Sequence, residues 1–146
     1  MKYRICFDMD GTIADLYGIE NWLAELLNES TKPYANAKPL VNLAKLARKL
    51  NAMQKTGCEL VIISWLCKGG SAEYNARVTE TKLAWLAKHL PSVTWNEIHI
   101  VEHGTPKQNF CNAPADVLFD DEEPNRRNWT GRAYGVENIL KVLREI

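Results

Sequence analysis

The chain alternates short runs of consecutive apolar residues with longer stretches in which apolar residues recur every three or four positions. The first run, Tyr3 to Phe7, reads as a buried strand that stops at Asp8. Ile19, Trp22, Leu23, Leu26 and Leu27 follow the spacing of one helix face and predict a helix over 17–29. The polar, proline-flanked segment from Ser30 to Pro39 reads as a loop. Leu40, Leu43, Ala44, Ala47 and Leu50 predict a second helix, stopped by Gly57. Leu60-Val61-Ile62-Ile63 has the continuous apolar character of a strand covered on both faces, with Ser64 at its end. After a loop at Gly69-Gly70, Leu83, Leu86, Ala87 and Leu90 mark a helix that Pro91 ends. Ile98 to Val101 and Val117-Leu118-Phe119 read as the third and fourth strands. Arg132 to Val136 reads as a short edge strand, and Val136, Ile139, Leu140 and Leu143 as a terminal helix.

Strands alternating with helices of this length imply parallel βαβ units. The expected fold is α/β, a three-layer, doubly wound, mostly parallel sheet of the Rossmann-like kind, in one domain spanning residues 1–146. Such sheets bind ligands beyond the carboxyl ends of their strands. The polar residues there are Asp8 and Asp10 after the first strand, Ser64 after the second, and Asp120 and Asp121 after the fourth. The third strand leads into His103-Gly104-Thr105-Pro106-Lys107.

Charge narrows the partners. Lysine plus arginine equals aspartate plus glutamate, 18 each, so no global basic field draws the chain to nucleic acid. Cys6, Cys58, Cys67 and Cys111 form no CxxC pair, and no histidine stands at zinc-finger spacing from them. A reduced, cytoplasmic setting is expected. No apolar run is long enough to span a membrane, and the chain is expected to start on its first strand without a leader.

Asp8, Asp10, Asp120 and Asp121 at neighbouring strand ends would crowd carboxylates together, which a cation or protonation must relieve. Hard oxygen donors suit Mg²⁺, which takes one or two carboxylates together with a substrate phosphate. Ser64 offers a hydroxyl to a phosphate oxygen, and Lys107 offers a mobile positive charge, with Lys82 and Lys68 as its competitors. The turn at Gly11-Thr12 would bring backbone N–H groups close to an anion. Metal, donors and lysine together fit stabilisation of a transferring phosphoryl group.

Asp8-Met9-Asp10-Gly11-Thr12 resembles the first signature of the haloacid dehalogenase superfamily of phosphatases. The apolar run into Ser64 resembles its second signature, Lys107 fits the third by position, and Leu118-Phe119-Asp120-Asp121 resembles the acidic fourth. The stretch Asp8 to Asp15 is also similar to the cytosolic 5′(3′)-deoxyribonucleotidase branch. The resemblance implies a two-step hydrolysis. Asp8 attacks phosphorus, and Asp10 protonates the leaving oxygen and then activates water. The Asp8 side chain, the Asp10 carbonyl and a carboxylate of Asp120 or Asp121 hold Mg²⁺. Gly11, Thr12 and Ser64 meet the phosphate, and Lys107 positions Asp8.

Members of the superfamily often insert a cap. Here about fifty residues separate Thr12 from Ser64, so the cap is expected to be minimal or absent, with residues 14–40 as its remnant. The substrate is expected to be a small phosphomonoester, with a nucleotide or a nucleic-acid end as the candidates. The rival readings are a non-catalytic phosphate- or nucleotide-binding module and a phosphotransferase to an acceptor other than water. Trp65, Tyr17 and Trp22 are residues that either stack on substrate or pack. Asp15 reads as a helix N-cap, and Arg126 and Arg127 as a solvated face that could also hold a phosphate. His103 is near enough for a secondary role.

Overall fold

The structure, a computed structural model, describes residues 2–146. Its frame is a sheet of five strands: β1 (Arg4–Phe7), β4 (Glu59–Trp65), β5 (Glu97–Val101), β6 (Val117–Phe119) and β7 (Arg132–Tyr134). Their spatial order is β5-β4-β1-β6-β7, and every neighbouring pair runs parallel. The chain therefore moves outward from β1 through β4 to β5, then crosses back to build β6 and β7 on the other side. The order reverses at β1, so the carboxyl end of β1 lies at the topological switch point where such sheets open a crevice.

The apolar runs are strands buried on both faces. Ile5, Phe7, Leu60, Ile62, Val117 and Phe119 point to one side. There they meet α3 (Leu43–Lys55), the later turns of α4 (Ala72–His89) and α6 (Ile139–Glu145). Cys6, Val61, Ile63 and Leu118 point to the other side, under Trp129 and the half-buried Phe110 and Cys111. That second layer is thin: one tight turn at Lys107–Phe110 and the short α5 (Glu123–Asn128). The expected fold class stands, with one layer much heavier than the other.

Three elements depart from the sequence reading. The helix expected over 17–29 is only α1 (Trp22–Leu27), preceded by a separate turn at Leu16–Gly18. The Asp15 carboxylate accepts from the Gly18 N–H at 3.0 Å and closes that turn. Asn21 and Glu29, with φ of 59° and 57°, break the helix on either side. The expected loop 30–39 contains α2 (Lys32–Asn36), with a proline in its first turn, and β3 (Lys38–Pro39), which pairs antiparallel with β2 (Ala14–Asp15). The helix predicted around Leu83, α4, begins well before that residue. Ser71 caps it, its hydroxyl accepting from the Tyr74 N–H at 3.1 Å. Its buried face is Tyr74, Val78, Lys82, Trp85 and Leu86, while Leu83 is exposed. A lysine in the middle of the stripe interrupts the pattern a sequence reader follows.

Residues 14–39 thus make a small excursion above the sheet. Leu16, Leu26 and Tyr34 from it pack with Tyr74 and Val78 of α4 in a cluster apart from the main core. Glu29 fixes the excursion to the start of α4, accepting from the Ser71 N–H at 2.8 Å and the Ser71 hydroxyl at 2.9 Å. Among the described residues no helix is long and apolar enough to cross a membrane.

Phe7 carries the centre of the heavy layer, stacked on Phe119 at 5.2 Å and edge-on to Trp95 at 6.1 Å. Phe7→Ala should lower stability by about 3–5 kcal/mol in urea unfolding, because a central strand leaves little freedom to collapse onto the cavity. A loss below about 1 kcal/mol would show that this packing is dispensable.

Candidate active site

The strand ladders deliver the acidic groups. The Asp8 N–H still donates to the Phe119 carbonyl at 3.0 Å, and the Asp120 N–H to the Tyr134 carbonyl at 3.2 Å. Both side chains therefore leave the sheet from fixed backbone. Lys107 stands between them: its Nζ donates to Asp8 Oδ1 at 2.8 Å and to Asp120 Oδ2 at 2.7 Å, and the residue is only 2% exposed. Burial alone would lower the Lys107 pKa. The Asp8 and Asp120 charges outweigh it and push the ammonium up to about 12.

The second Asp8 oxygen is also held, accepting from the Thr12 hydroxyl at 2.9 Å. Asp120 is held on every side. Its Oδ1 accepts from the Glu122 N–H, its Oδ2 from Asn125, and its carbonyl from Arg126. Burial and the Asp8 charge raise the Asp120 carboxyl. The same two causes push Asp121 up to about 8. Asp8, Asp120 and Asp121 each bring one carboxylate oxygen within 4.8 Å of the others. Three hard oxygens this close together fit a divalent cation such as Mg²⁺. Asp10 is outside this trio, since its carboxylate turns to Lys82, whose Nζ lies 2.9 Å from Oδ2. Burial raises the Asp10 carboxyl, and the Lys82 charge opposes that rise.

The turn after Asp10 does something other than expected. The Gly11 N–H donates to the Ala14 carbonyl and the Thr12 N–H to the Met9 carbonyl, so both serve the turn itself. Gly11 has a φ of +80°, and a Cβ there would run into the Asp121 carboxylate and the Tyr17 ring. Its smallness lets Asp121 approach. Ser64 is at the end of β4 as expected, fully buried, with its hydroxyl oxygen accepting from Lys82 Nζ at 2.7 Å. A lysine only donates, so this contact does not use the Ser64 proton.

Trp65 braces the loop that carries Lys107. Its Nε1 donates to the Thr105 carbonyl at 2.8 Å, His103 tilts against its ring at 4.8 Å, and Lys107 Nζ lies 5.2 Å from its centroid. Its ring also lines the cavity above Asp8 and Asp10, a space of about 320 Å³. The excursion supplies another part of that wall, including Tyr17, Trp22, Leu26 and Tyr34. Arg127 pairs with Glu123 on the surface and Arg126 braces Asp120; neither lines the cavity. Lys68 lies at the rim, while Lys82, taken from the sequence as a competitor of Lys107, occupies a second buried position beside Asp10. Both lysines are part of the site, and the signal for Lys82 was its place in the buried stripe of α4.

The fold recurs in solved structures. D,D-heptose 1,7-bisphosphate phosphatase from Burkholderia thailandensis matches with a TM-score of 0.56 at 11% identity, over 89% of this chain and 75% of that one. The fold is one that phosphatases use. The D,D-heptose 1,7-bisphosphate phosphatase from B. bronchiseptica, complexed with magnesium and phosphate, matches with a TM-score of 0.52 at 11% identity, over 99% of each chain. No family profile and no curated protein sequence matches the chain.

The raised Asp121 carboxyl gives the metal-free protein a pH signature. The unfolded chain releases this proton near pH 4 and the folded chain near about 8, so the folded state holds the extra proton between them. Stability should therefore fall as pH rises through that window, and Asp121→Asn should flatten the fall. Thermal midpoints in chelator at about pH 5 and about pH 8 check this. Equal falls in wild type and variant would remove Asp121 as the cause.

Proposed function

We propose that this protein is a metal-dependent phosphatase of the haloacid dehalogenase type, hydrolysing phosphomonoesters through an aspartyl-phosphate on Asp8. The observation that carries the reading is the clamp on Asp8. One oxygen is tied to Lys107, the other to Thr12, with Asp120 and Asp121 beside them at the sheet's switch point. A merely structural carboxylate would have no need of two acidic neighbours whose carboxyls burial and its own charge both raise.

In the first step an Asp8 oxygen attacks phosphorus as the bond to the leaving oxygen breaks, and Asp10 gives its proton to that oxygen. In the second, Asp10 takes a proton from water, whose oxygen attacks phosphorus and frees the Asp8 carboxylate with inorganic phosphate. Lys107 holds Asp8 in line and offsets charge on the transferring group, and Ser64 and Thr12 are the hydroxyls assigned to its oxygens in this reading. Asp8, Asp120 and Asp121, with the Asp10 carbonyl, would hold Mg²⁺, which would supply further positive charge to the phosphoryl oxygens.

Residues 14–39 act as a minimal cap. Their aromatic wall favours a leaving group with a planar ring, so a nucleoside monophosphate is the favoured substrate. Tyr17 and Trp22 meet edge-to-face at 4.9 Å on one side of the cavity, with Trp65 and His103 also lining it. The cavity of about 320 Å³ is of a size that suits a small molecule. Four free cysteines fit a cytoplasmic setting.

Asp8→Asn tests the nucleophile. Mg²⁺-dependent phosphate release from an aryl phosphate should fall to background, and Asp10→Asn should slow an alkyl phosphate about 10²–10⁴-fold. Wild-type turnover in Asp8→Asn would refute the assignment. Across a panel of phosphate monoesters, nucleoside monophosphates should give the highest kcat/KM; a preference for sugar bisphosphates would overturn the substrate reading.

A further inference from the structure

Lys82 is a lysine where packing calls for an apolar residue. It occupies the inward stripe of α4 between Val78 and Trp85 and is 1% exposed. Burying an ammonium is unfavourable unless all its hydrogen-bonding capacity is met. Here it is met in full: Nζ donates to Asp10 Oδ2 at 2.9 Å, to Ser64 Oγ at 2.7 Å and to the Trp65 carbonyl at 2.7 Å. Three donors meet three acceptors, and the Tyr34 ring closes the remaining side, 5.0 Å from its centroid to the nitrogen. A leucine or methionine would fill the stripe of α4 as well, so packing does not explain the choice.

We propose that Lys82 is a positioning residue that fixes which oxygen of Asp10 moves the proton and turns the Ser64 hydroxyl toward the phosphate. The inference rests on the phosphatase reading above. Oδ2 of Asp10 is committed to Lys82, which leaves Oδ1 to carry the proton to the leaving oxygen. As the bond from phosphorus to that oxygen breaks, the Oδ1 proton passes to it, and Asp10 becomes a carboxylate already hydrogen-bonded to the ammonium. Lys82 keeps all three of its protons throughout. Because Lys82 donates to Ser64 Oγ, the Ser64 proton is directed elsewhere, and the backbone carbonyl of Trp65 fixes the lysine between the two. Lys107 holds the nucleophile; Lys82 holds the acid.

A residue acting through the acid matters in proportion to how much the leaving group needs a proton. The test compares kcat/KM of wild type and Lys82→Met on a series from 2,4-dinitrophenyl phosphate, a good leaving group, to an alkyl phosphate, a poor one. The expected loss is about 10²-fold on the alkyl ester and less than about threefold on the dinitrophenyl ester. In the Asp10→Asn background, Lys82→Met should add no further loss on the alkyl ester. Equal losses along the series, or full additivity in the double variant, would overturn the inference and leave the phosphatase reading intact. Absence of turnover by wild type on every ester would overturn both. If Lys82→Met does not fold, Lys82→Arg takes its place. It keeps the charge, but a planar guanidinium cannot set one nitrogen on three converging acceptors, and the same uneven loss is expected.

Discussion

Two carboxylates brought to neighbouring strand ends repel each other strongly in a buried setting, and a positive charge between them reverses the sign of that interaction. Lys107 supplies the charge, within 2.8 Å of Asp8 and 2.7 Å of Asp120. Much of the surrounding structure serves to keep it there. The loop leading from β5 turns back over the sheet, Trp65 anchors it through the Thr105 carbonyl, and Asn125 and Arg126 secure Asp120 from the far side. On the thin second layer of the sheet, the segment after β5 carries only a short turn, and that turn delivers Lys107 into the site.

The site then separates into two halves with different tasks. On one side Asp8, Asp120 and Asp121 form an acidic trio with Lys107 as its internal cation. On the other, Asp10 and Ser64 share Lys82. The two lysines come from different elements and touch different carboxylates. The division suits chemistry in which one aspartate attacks while another exchanges a proton. The excursion over 14–39 is joined to the second half, through Tyr34 over Lys82 and through Glu29 on the cap of α4. What covers the substrate is therefore linked to what holds the acid.

The parallel sheet and the line of acidic strand ends were legible because their signals are local. Continuous apolar runs name buried strands, and the residue after each run must lie at the sheet's edge. The excursion was not legible. Leu23, Leu26 and Leu27 repeat at helical spacing, yet Leu23 and Leu27 are exposed and face the cavity rather than the core. The breaks at Asn21 and Glu29 lie in backbone angles that residue type alone does not dictate. Lys82 was named as a rival to Lys107 because sequence separation says nothing of which carboxylate a lysine reaches. The Gly11-Thr12 turn looked like an anion cradle from its composition, but its N–H groups close the turn, and Gly11 instead makes room for Asp121.

The central claim is that phosphate passes through a covalent bond to Asp8. Rapid quenching during turnover, followed by borohydride reduction and mass spectrometry of the peptide that contains residue 8, tests it directly. An acyl phosphate on Asp8 would be reduced to homoserine at that position, and unreacted carboxylate would not. Homoserine at position 8, dependent on both substrate and Mg²⁺, is the predicted result. Steady turnover with aspartate intact at position 8, or with the modification on Asp10, Asp120 or Asp121, would contradict the account.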